Sequence, residues 1–268
     1  MRSTTTWPFW ALAFPALLVM TLLFIFPIAE LAGLAFGGAE TGQHALAALE
    51  SATHLKALGF TVTLAVLSTS GGLLLGVPAA LLLGRSRFRG RSFFEAFLTM
   101  PASFPGVVVG FMVIQLAGRQ GLIGHATMAL TGHRLTFAYS AAGLFLGYLY
   151  FSIPRVIATV GGAAKSLPRD REEAARSLGA APFRVLWDVT LPALLPAIAR
   201  AAAIVFATAM SAFGTAYTIA AETPVLPLMI YDDFVTTADL PTAALYSLLL
   251  GVVTYFSLAV ADRIARKA

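Results

Sequence analysis

A short acidic stretch that ends at Gly179 combines residue types suited to protein recognition rather than to covalent chemistry. Asp170, Glu172 and Glu173 would oppose the positive end of a helix dipole, and Ser166 would cap the same helix. Gly179 supplies the permissive backbone that ends a helix. The pattern predicts a short, capped helix with a charged first turn.

A second helix start follows almost at once. Pro182 suits an early helical position, and Phe183, Leu186 and Trp187 give the following turns an apolar face. Pro192 then opens a long apolar run. The resulting helix–turn–helix carries charge and large apolar side chains together, which is more recognition surface than a connector needs, so we expect a partner protein to bind it.

The sequence contains no spacing of residues that is typical of a catalytic, metal-binding or nucleotide-binding site. The chain has no cysteine, and none of its three lysines follows a glycine as a phosphate-binding loop requires. Four histidines fall in predicted loops without metal-ligand spacing: His44, His54, His125 and His133. We therefore predict no catalytic residue, no metal site and no nucleotide site in this chain.

The composition is that of a membrane protein. Hydrophobic residues make up 58% of the 268 residues, charged residues 12%, and the mean hydropathy is +0.82. A spanning helix needs about 20 apolar residues, which predicts one all-α membrane domain over 1–268 with about six spans, the first an uncleaved helix. The predicted spans are 9–34, 57–83, 93–117, 137–158, 197–220 and 241–261, and the long connection is 159–192.

The positive charges predict the orientation. Of the 18 Lys and Arg residues, only Lys56, Arg119 and Arg134 fall in the connections predicted to be external, and the other fifteen fall on the opposite side. Both termini and the long connection are therefore expected in the cytoplasm. We interpret the arginine run from Arg85 to Arg91, and the pI of about 9.8, as topological retention rather than nucleic-acid binding.

Prolines and glycines predict local features inside the spans. Pro101 and Pro105 should break the third span near Ser103, because each removes a backbone donor. Glycine pairs four residues apart are interpreted as helix packing rather than a dimerisation code: Gly72/Gly76, Gly106/Gly110 and Gly143/Gly147.

The spacing within the long connection resembles that of permeases of binding-protein-dependent ABC importers. The family pattern is Glu-Ala-Ala, three residues, Gly, nine residues, then Ile-x-Leu-Pro. The matching residues are Glu173, Ala174, Ala175, Gly179, Val189 in place of Ile, Leu191 and Pro192.

This resemblance implies the type I ABC importer permease fold, with the connection forming coupling helices that insert into a groove on a cytoplasmic ATPase dimer. It also implies a second permease subunit, identical or paralogous, and an extracytoplasmic solute-binding protein. ATP and Mg would be bound by the ATPase and not by this chain. The coupling residues so implied are Glu172, Glu173, Ala174, Ala175, Ser177, Leu178, Gly179, Pro182, Leu191 and Pro192.

Two other classes remain open at this point. An ion-coupled secondary transporter would need buried charges in its spans, and the interiors of predicted spans two to six contain essentially none. Glu30 and Glu95 lie near span ends. A capped surface helix with no partner would explain the capping residues but not their distance from Leu191 and Pro192.

The cargo is predicted from few residues. The stretch from Ser211 to Tyr217 resembles permeases that handle polyamines, ferric iron, sulfate, thiamine and aminoethylphosphonate, and among these we expect a polyamine such as spermidine or putrescine. The candidate path residues are Ser103, Gln115, Tyr148, Ser211, Thr215 and Tyr217. Each could line a path or bond a helix backbone.

Overall fold

The computed structural model describes residues 9–38, 43, 47–220 and 223–267, with side chains from 13 to 264, and every regular element in those ranges is a helix. Helices are the expected outcome because each backbone N–H and C=O in lipid must find a partner within its own segment. The helices are α1 (Phe9–Met20), α2 (Phe26–Phe36), α3 (Ala52–Arg85), α4 (Arg91–Thr99), α5 (Gly106–Ala117), α6 (Leu122–Thr131), α7 (Ala141–Ser166), α8 (Asp170–Ser177), α9 (Pro182–Val185), α10 (Leu191–Met210), α11 (Phe213–Ile219), α12 (Leu226–Val235) and α13 (Leu240–Lys267).

Six helical stretches within the described ranges are long and apolar enough to cross a membrane. This confirms the predicted all-α fold and the number of spans. π-Helical turns join α1 to α2 and α9 to α10 without interrupting those stretches. The spans are Ala13–Phe36, Ala52–Arg85, Gly106–Thr131, Ala141–Ser166, Pro182–Met210 and Leu240–Ile264.

The third span lies later in the chain than hydropathy predicts. The predicted stretch 93–117 contains α4, a 3₁₀ turn at Met100–Ser103 and then extended backbone at Phe104 (φ −81°, ψ 137°) before α5 begins. The predicted break near Ser103 is therefore confirmed. Hydropathy averages across such a break because proline changes the backbone without changing the apolar character of the stretch.

The fourth span is longer than predicted, continuing past residue 158 to Ser166. Ser166 therefore does not cap α8; its hydroxyl donates to the carbonyls of Gly162 and Ala163 at the end of α7. Because the helix continues to Ser166, Arg155 lies in the middle of the helix and not near the end of the span. The expectation that spans two to six contain no interior charge is wrong at this residue.

The helical stretch that contains the fifth span begins earlier and ends earlier than the predicted 197–220, and its first residues belong to the long connection. Helical backbone runs unbroken from Pro182 to Met210, so the predicted separate start at Pro192 is wrong. The π turn Leu186–Thr190 connects α9, which begins at Pro182, to α10, whose second residue is Pro192. Helix α10 then ends at Met210, and the next helix begins after non-helical Ala212.

Contacts divide the chain into two compact units, Met1–Leu55 with Met229–Gly251, and Lys56–Leu228 with Val252–Ala268. In the smaller unit, Ala35 packs with Ala244 and Leu245. His54 lies 2.9 Å from a carboxylate oxygen of Asp233 and stacks on Tyr246. This predicted loop histidine thus has a structural role. The prediction of one domain stays a prediction.

The larger unit is built on α7, which packs between α3 and α10. Ala80, Val156, Val160, Ala201 and Val205 form its buried centre. Glycines of α3 permit the close approach: a Cβ at position 72 would lie 2.8 Å from Ser152 Cβ, and one at position 76 would lie 2.7 Å from Val156 Cβ. The interpretation of this glycine pair as packing is confirmed.

We expect Gly76→Ala to destabilise the protein by about 1–3 kcal/mol, because the added methyl overpacks the α3–α7 contact. The matched control is Gly162→Ala in α7, where a Cβ would have no neighbour within 4 Å. Thermal unfolding in detergent, followed by tryptophan fluorescence, measures both. Equal losses of stability would contradict close packing at Gly76.

Candidate functional site

The segment 167–190, here called the α8–α9 segment, contains the predicted coupling residues that precede α10. The first turn of α8 carries Asp170, Glu172 and Glu173, as expected for a helix N-terminus. Its end is a Schellman motif: the Gly179 N–H donates to the Arg176 carbonyl (2.9 Å) and the Ala180 N–H to the Ala175 carbonyl (3.1 Å). Gly179 has φ +81°, which explains the glycine.

Glu172 holds the segment against the rest of the chain. Its carboxylate lies 2.5 Å from Nη2 of Arg85 and accepts a hydrogen bond of 2.8 Å from the Thr190 hydroxyl. These three residues, the Arg85 network, join α8 to the last residue of α3 and to the π turn before α10. The side chains of Arg85 and Glu172 are only 15% and 13% exposed.

Arg85 also ties α3 to the end of α7. Its Nη1 donates to the carbonyls of Ala164 (3.3 Å) and Leu167 (2.8 Å), and Arg169 donates back to the Arg85 carbonyl at 2.9 Å. Sequence reasoning missed this role because Arg85 is one of four arginines at alternate positions. Its place at the end of an apolar run was the only available signal.

A second ion pair fixes the same region. Lys165, near the end of α7, pairs with Glu95 of α4, and both side chains are partly exposed. The end of α7 is therefore tied to α3, α4 and α8 by charged side chains.

The pKa of Glu172 is lowered. Partial burial alone would raise it, but the hydrogen bonds from Arg85 and Thr190 and the positive charges of Arg85 and Arg176 outweigh that effect. The carboxylate is therefore ionised at neutral pH.

The outward side of the segment is apolar. Leu178 is 90% exposed, Phe183 71% and Trp187 56%, and the rings of Phe183 and Trp187 lie 5.9 Å apart between centroids. Glu173, in the first turn of α8, is exposed as well. Large apolar side chains displayed next to charge are typical of protein-binding surfaces.

The other predicted coupling residues divide by exposure. Ala174 is exposed and Ala175 half-buried. The Ser177 hydroxyl donates to the Glu173 carbonyl within α8. Pro182 is the exposed first residue of α9, while Leu191 is half-buried and Pro192 exposed.

Two predicted path residues are buried and bond the backbone at helix breaks. Thr215 donates to the Gly106 carbonyl at 3.0 Å, where α5 begins. Tyr148 donates to the Ala212 carbonyl at 3.2 Å, where α10 gives way to α11. A Cβ at Gly106 would lie 3.1 Å from the Thr215 nitrogen, so these two helices meet closely.

The other four path residues, Ser103, Gln115, Ser211 and Tyr217, are exposed. The Ser211 hydroxyl donates within its own helix to the Ala207 carbonyl, and Tyr217 stacks on Phe213. Gln115 lines a cleft of about 450 Å³ together with Phe111, Ile114, Arg119, Gln120 and Tyr139. The six residues therefore do not converge on one cavity.

The fold is that of solved ABC importer permeases. A chain of the bacterial alginate ABC transporter, solved in complex with an alginate pentasaccharide-bound periplasmic protein, matches with a TM-score of 0.81 and 19% identity, over 96% of this chain and 93% of that chain. The chain therefore has the fold of a membrane-spanning chain of an ABC transporter.

Residues 72–267 match the family described as the binding-protein-dependent transport system inner membrane component, and the chain belongs to that family. It is 38% identical over 201 residues, 74% of each chain, to the molybdenum transport system permease protein ModB of Mycobacterium tuberculosis. It is 31% identical over 206 residues, 74% of this chain and 73% of the relative, to the sulfate transport system permease protein CysW of Synechocystis. The family predicted from the motif is confirmed, and the protein is a multi-pass membrane transport subunit.

Replacing Glu172 by Gln should loosen α8 at pH 7, with amide protection in 170–177 falling about tenfold, because hydrogen bonds to a charged carboxylate are lost. A carboxyl with a lowered pKa stabilises the fold fully above its ordinary pKa of about 4.3 and loses that effect as the pH falls through the lowered value. The two proteins should therefore converge only in that acidic range.

Hydrogen exchange measured by mass spectrometry tests this expectation. Glu173→Gln is the control, because its carboxylate is exposed and we expect unchanged protection. Protection that is equal in wild type and Glu172→Gln at pH 7 would refute the role of the Arg85 network.

Proposed function

We propose that this chain is the permease subunit of an ABC importer for a tetrahedral oxyanion of the molybdate or sulfate class. The observation that carries the proposal is the identity, over about three quarters of the chain, with permeases named for molybdenum and sulfate transport. The earlier expectation of a polyamine finds no support among these relatives. The resemblance of Ser211–Tyr217 on which it rested involves a packing residue, since Thr215 is buried against Gly106.

The charges inside the spans support an anion. The stretches Ala52–Arg85, Gly106–Thr131 and Ala141–Ser166 contain no carboxylate, whereas Arg155 lies in the middle of the third and Arg119 lies in the turn between α5 and α6. Arg119 lines the cleft with Gln115 and Tyr139. Cations and amide or hydroxyl donors are the groups that bind oxyanions, while a polyamine would require carboxylates.

The energy source in this proposal is a separate cytoplasmic ATPase dimer bound to the α8–α9 segment, which would carry the ATP and Mg. The exposed side chains of Leu178, Phe183 and Trp187 suit insertion into a groove of a partner. The Arg85 network would then transmit movement of the segment to α3 and α7 together. Rigid, paired elements of this kind are what a mechanical coupling needs.

The remaining parts of the assembly follow from the same proposal. The chain lies in the bacterial inner membrane with both termini in the cytoplasm, as the bias of its Lys and Arg residues favours. A second permease, identical or homologous, completes the path, and an external binding protein delivers the anion. A binding protein is present in one matching solved structure.

Leu178→Asp should abolish ATP-driven uptake and co-purification of the ATPase, because it adds a charge at the centre of the apolar surface while leaving the packed segment unchanged. Leu135→Asp is the matched control, since Leu135 is 54% exposed and lies outside the six spans and away from the segment, and we expect it to retain uptake and ATPase binding. Retained ATPase binding in Leu178→Asp would contradict the proposed docking surface.

Reconstituted wild-type importer, with its cognate binding protein and ATPase, should take up radiolabelled molybdate or sulfate when ATP is present. Excess unlabelled oxyanion should suppress that uptake, while excess spermidine should not. A ligand-dependent rise in the melting temperature of the binding protein identifies which oxyanion to use. Uptake of spermidine but of neither oxyanion would overturn the proposed cargo.

A further inference from the structure

Arg155 lies in the middle of α7, a helix long and apolar enough to cross the membrane, where charged side chains are rare. The next residue, Val156, packs on Gly76, and Gly76 precedes Arg85 at the end of α3 by nine residues, or about 13 Å of helix. Arg155 is therefore well inside the span rather than at its end. Ionisable residues at such depth mark solute or ion pathways far more often than packing.

The guanidinium is held in place but not neutralised. Nη1 donates to the Phe151 carbonyl at 2.8 Å, and Cζ lies 5.2 Å from the centroid of the Phe151 ring. Within the described part of the chain no carboxylate forms an ion pair with Arg155, and its Nε and Nη2 have no hydrogen-bond acceptor. Several N–H donors therefore remain for a ligand.

The helix that carries Arg155 also contacts two helix breaks. Tyr148, Phe151 and Arg155 share one face of α7 by their spacing of three and four residues, and the rings of Tyr148 and Phe151 lie 5.3 Å apart. The Tyr148 hydroxyl bonds the Ala212 carbonyl at the break between α10 and α11. The 3₁₀ turn Met100–Ser103 also contacts α7. Interrupted helices beside a charged residue are typical of transporter binding sites.

We propose that Arg155 is an oxyanion-binding residue of the translocation path, where the anion itself serves as the missing counter-ion. This inference rests on the proposed function and names a residue of the path. A guanidinium suits this role because its planar donors bind two oxygens of a tetrahedral anion at once. The pre-existing bond to Phe151 orients it, so little side-chain entropy is lost on binding.

Arg200 provides a contrast within the same unit. It also lies within a span, in α10, but its side chain is exposed, and no ring or carbonyl of the described residues holds it. Its neighbour Ala201 belongs to the same buried cluster as Val156, so the two arginines lie at a similar level along their helices. Partial burial and fixed geometry therefore distinguish Arg155.

The absence of cysteine makes a direct test possible, because Arg155→Cys creates the only thiol in the chain. We expect this variant in the reconstituted importer to lose uptake by about tenfold or more, the value of a charge-assisted hydrogen bond. Aminoethyl methanethiosulfonate, which restores a positive charge, should recover uptake. Hydroxyethyl methanethiosulfonate, of similar size but neutral, should not. Molybdate or sulfate, but not chloride, should slow the labelling measured by mass spectrometry.

Ala158→Cys is the matched control, because Ala158 is exposed one turn further along α7; its labelling should be insensitive to the anion. Arg155→Lys should keep more uptake than Arg155→Gln at equal melting temperature. Recovery with the neutral reagent, labelling that the anion does not slow, or no labelling at all would overturn the role of Arg155. Failure of the wild type to import either oxyanion would instead overturn the proposed function.

Discussion

Every backbone N–H and C=O within the hydrocarbon must be paired inside the protein, and this requirement shapes the whole chain. In an unbroken helix, the hydrogen bonds within the helix satisfy this requirement. Where α5 and α11 begin after interruptions, side chains from neighbouring helices meet it instead: Thr215 bonds the Gly106 carbonyl and Tyr148 bonds the Ala212 carbonyl. The breaks are therefore stable features of the fold, and both are held by hydroxyl groups that also join separate helices.

Pairing of partly buried polar groups also fixes the position of the α8–α9 segment. A single half-buried carboxylate, Glu172, meets Arg85 and Thr190, while Arg85 bonds the carbonyls at the end of α7. Its lowered pKa keeps the carboxylate ionised at neutral pH. The inward side of the segment is thus fixed to two spans, and the outward side is left apolar. Because the α8–α9 segment is bonded to the spans on its inward side, movement of a partner bound to its outward side would be transmitted to those helices.

Two arginines have no carboxylate partner among the described residues. Arg119 lies at a polar cleft in the turn after α5, and Arg155 lies in the middle of α7. Charges at such positions are costly, so they persist where a ligand or path uses them. This arrangement supports the proposed oxyanion cargo, as do the relatives named for molybdenum and sulfate transport.

Sequence alone determined the membrane class, the number of spans and the family, because hydropathy and the Glu173–Pro192 spacing are local properties of the chain. It could not separate Glu172 from Glu173, or Arg85 from the arginines that follow it, since only packing decides which charge is turned inward. Hydropathy misplaced the third and fifth spans, because proline breaks and π turns leave apolar character unchanged. Tertiary structure alone decided that Tyr148 and Thr215 bond helix breaks and that Arg155 is half-buried in the middle of α7. Those roles depend on contacts between residues distant in sequence, which no local pattern encodes.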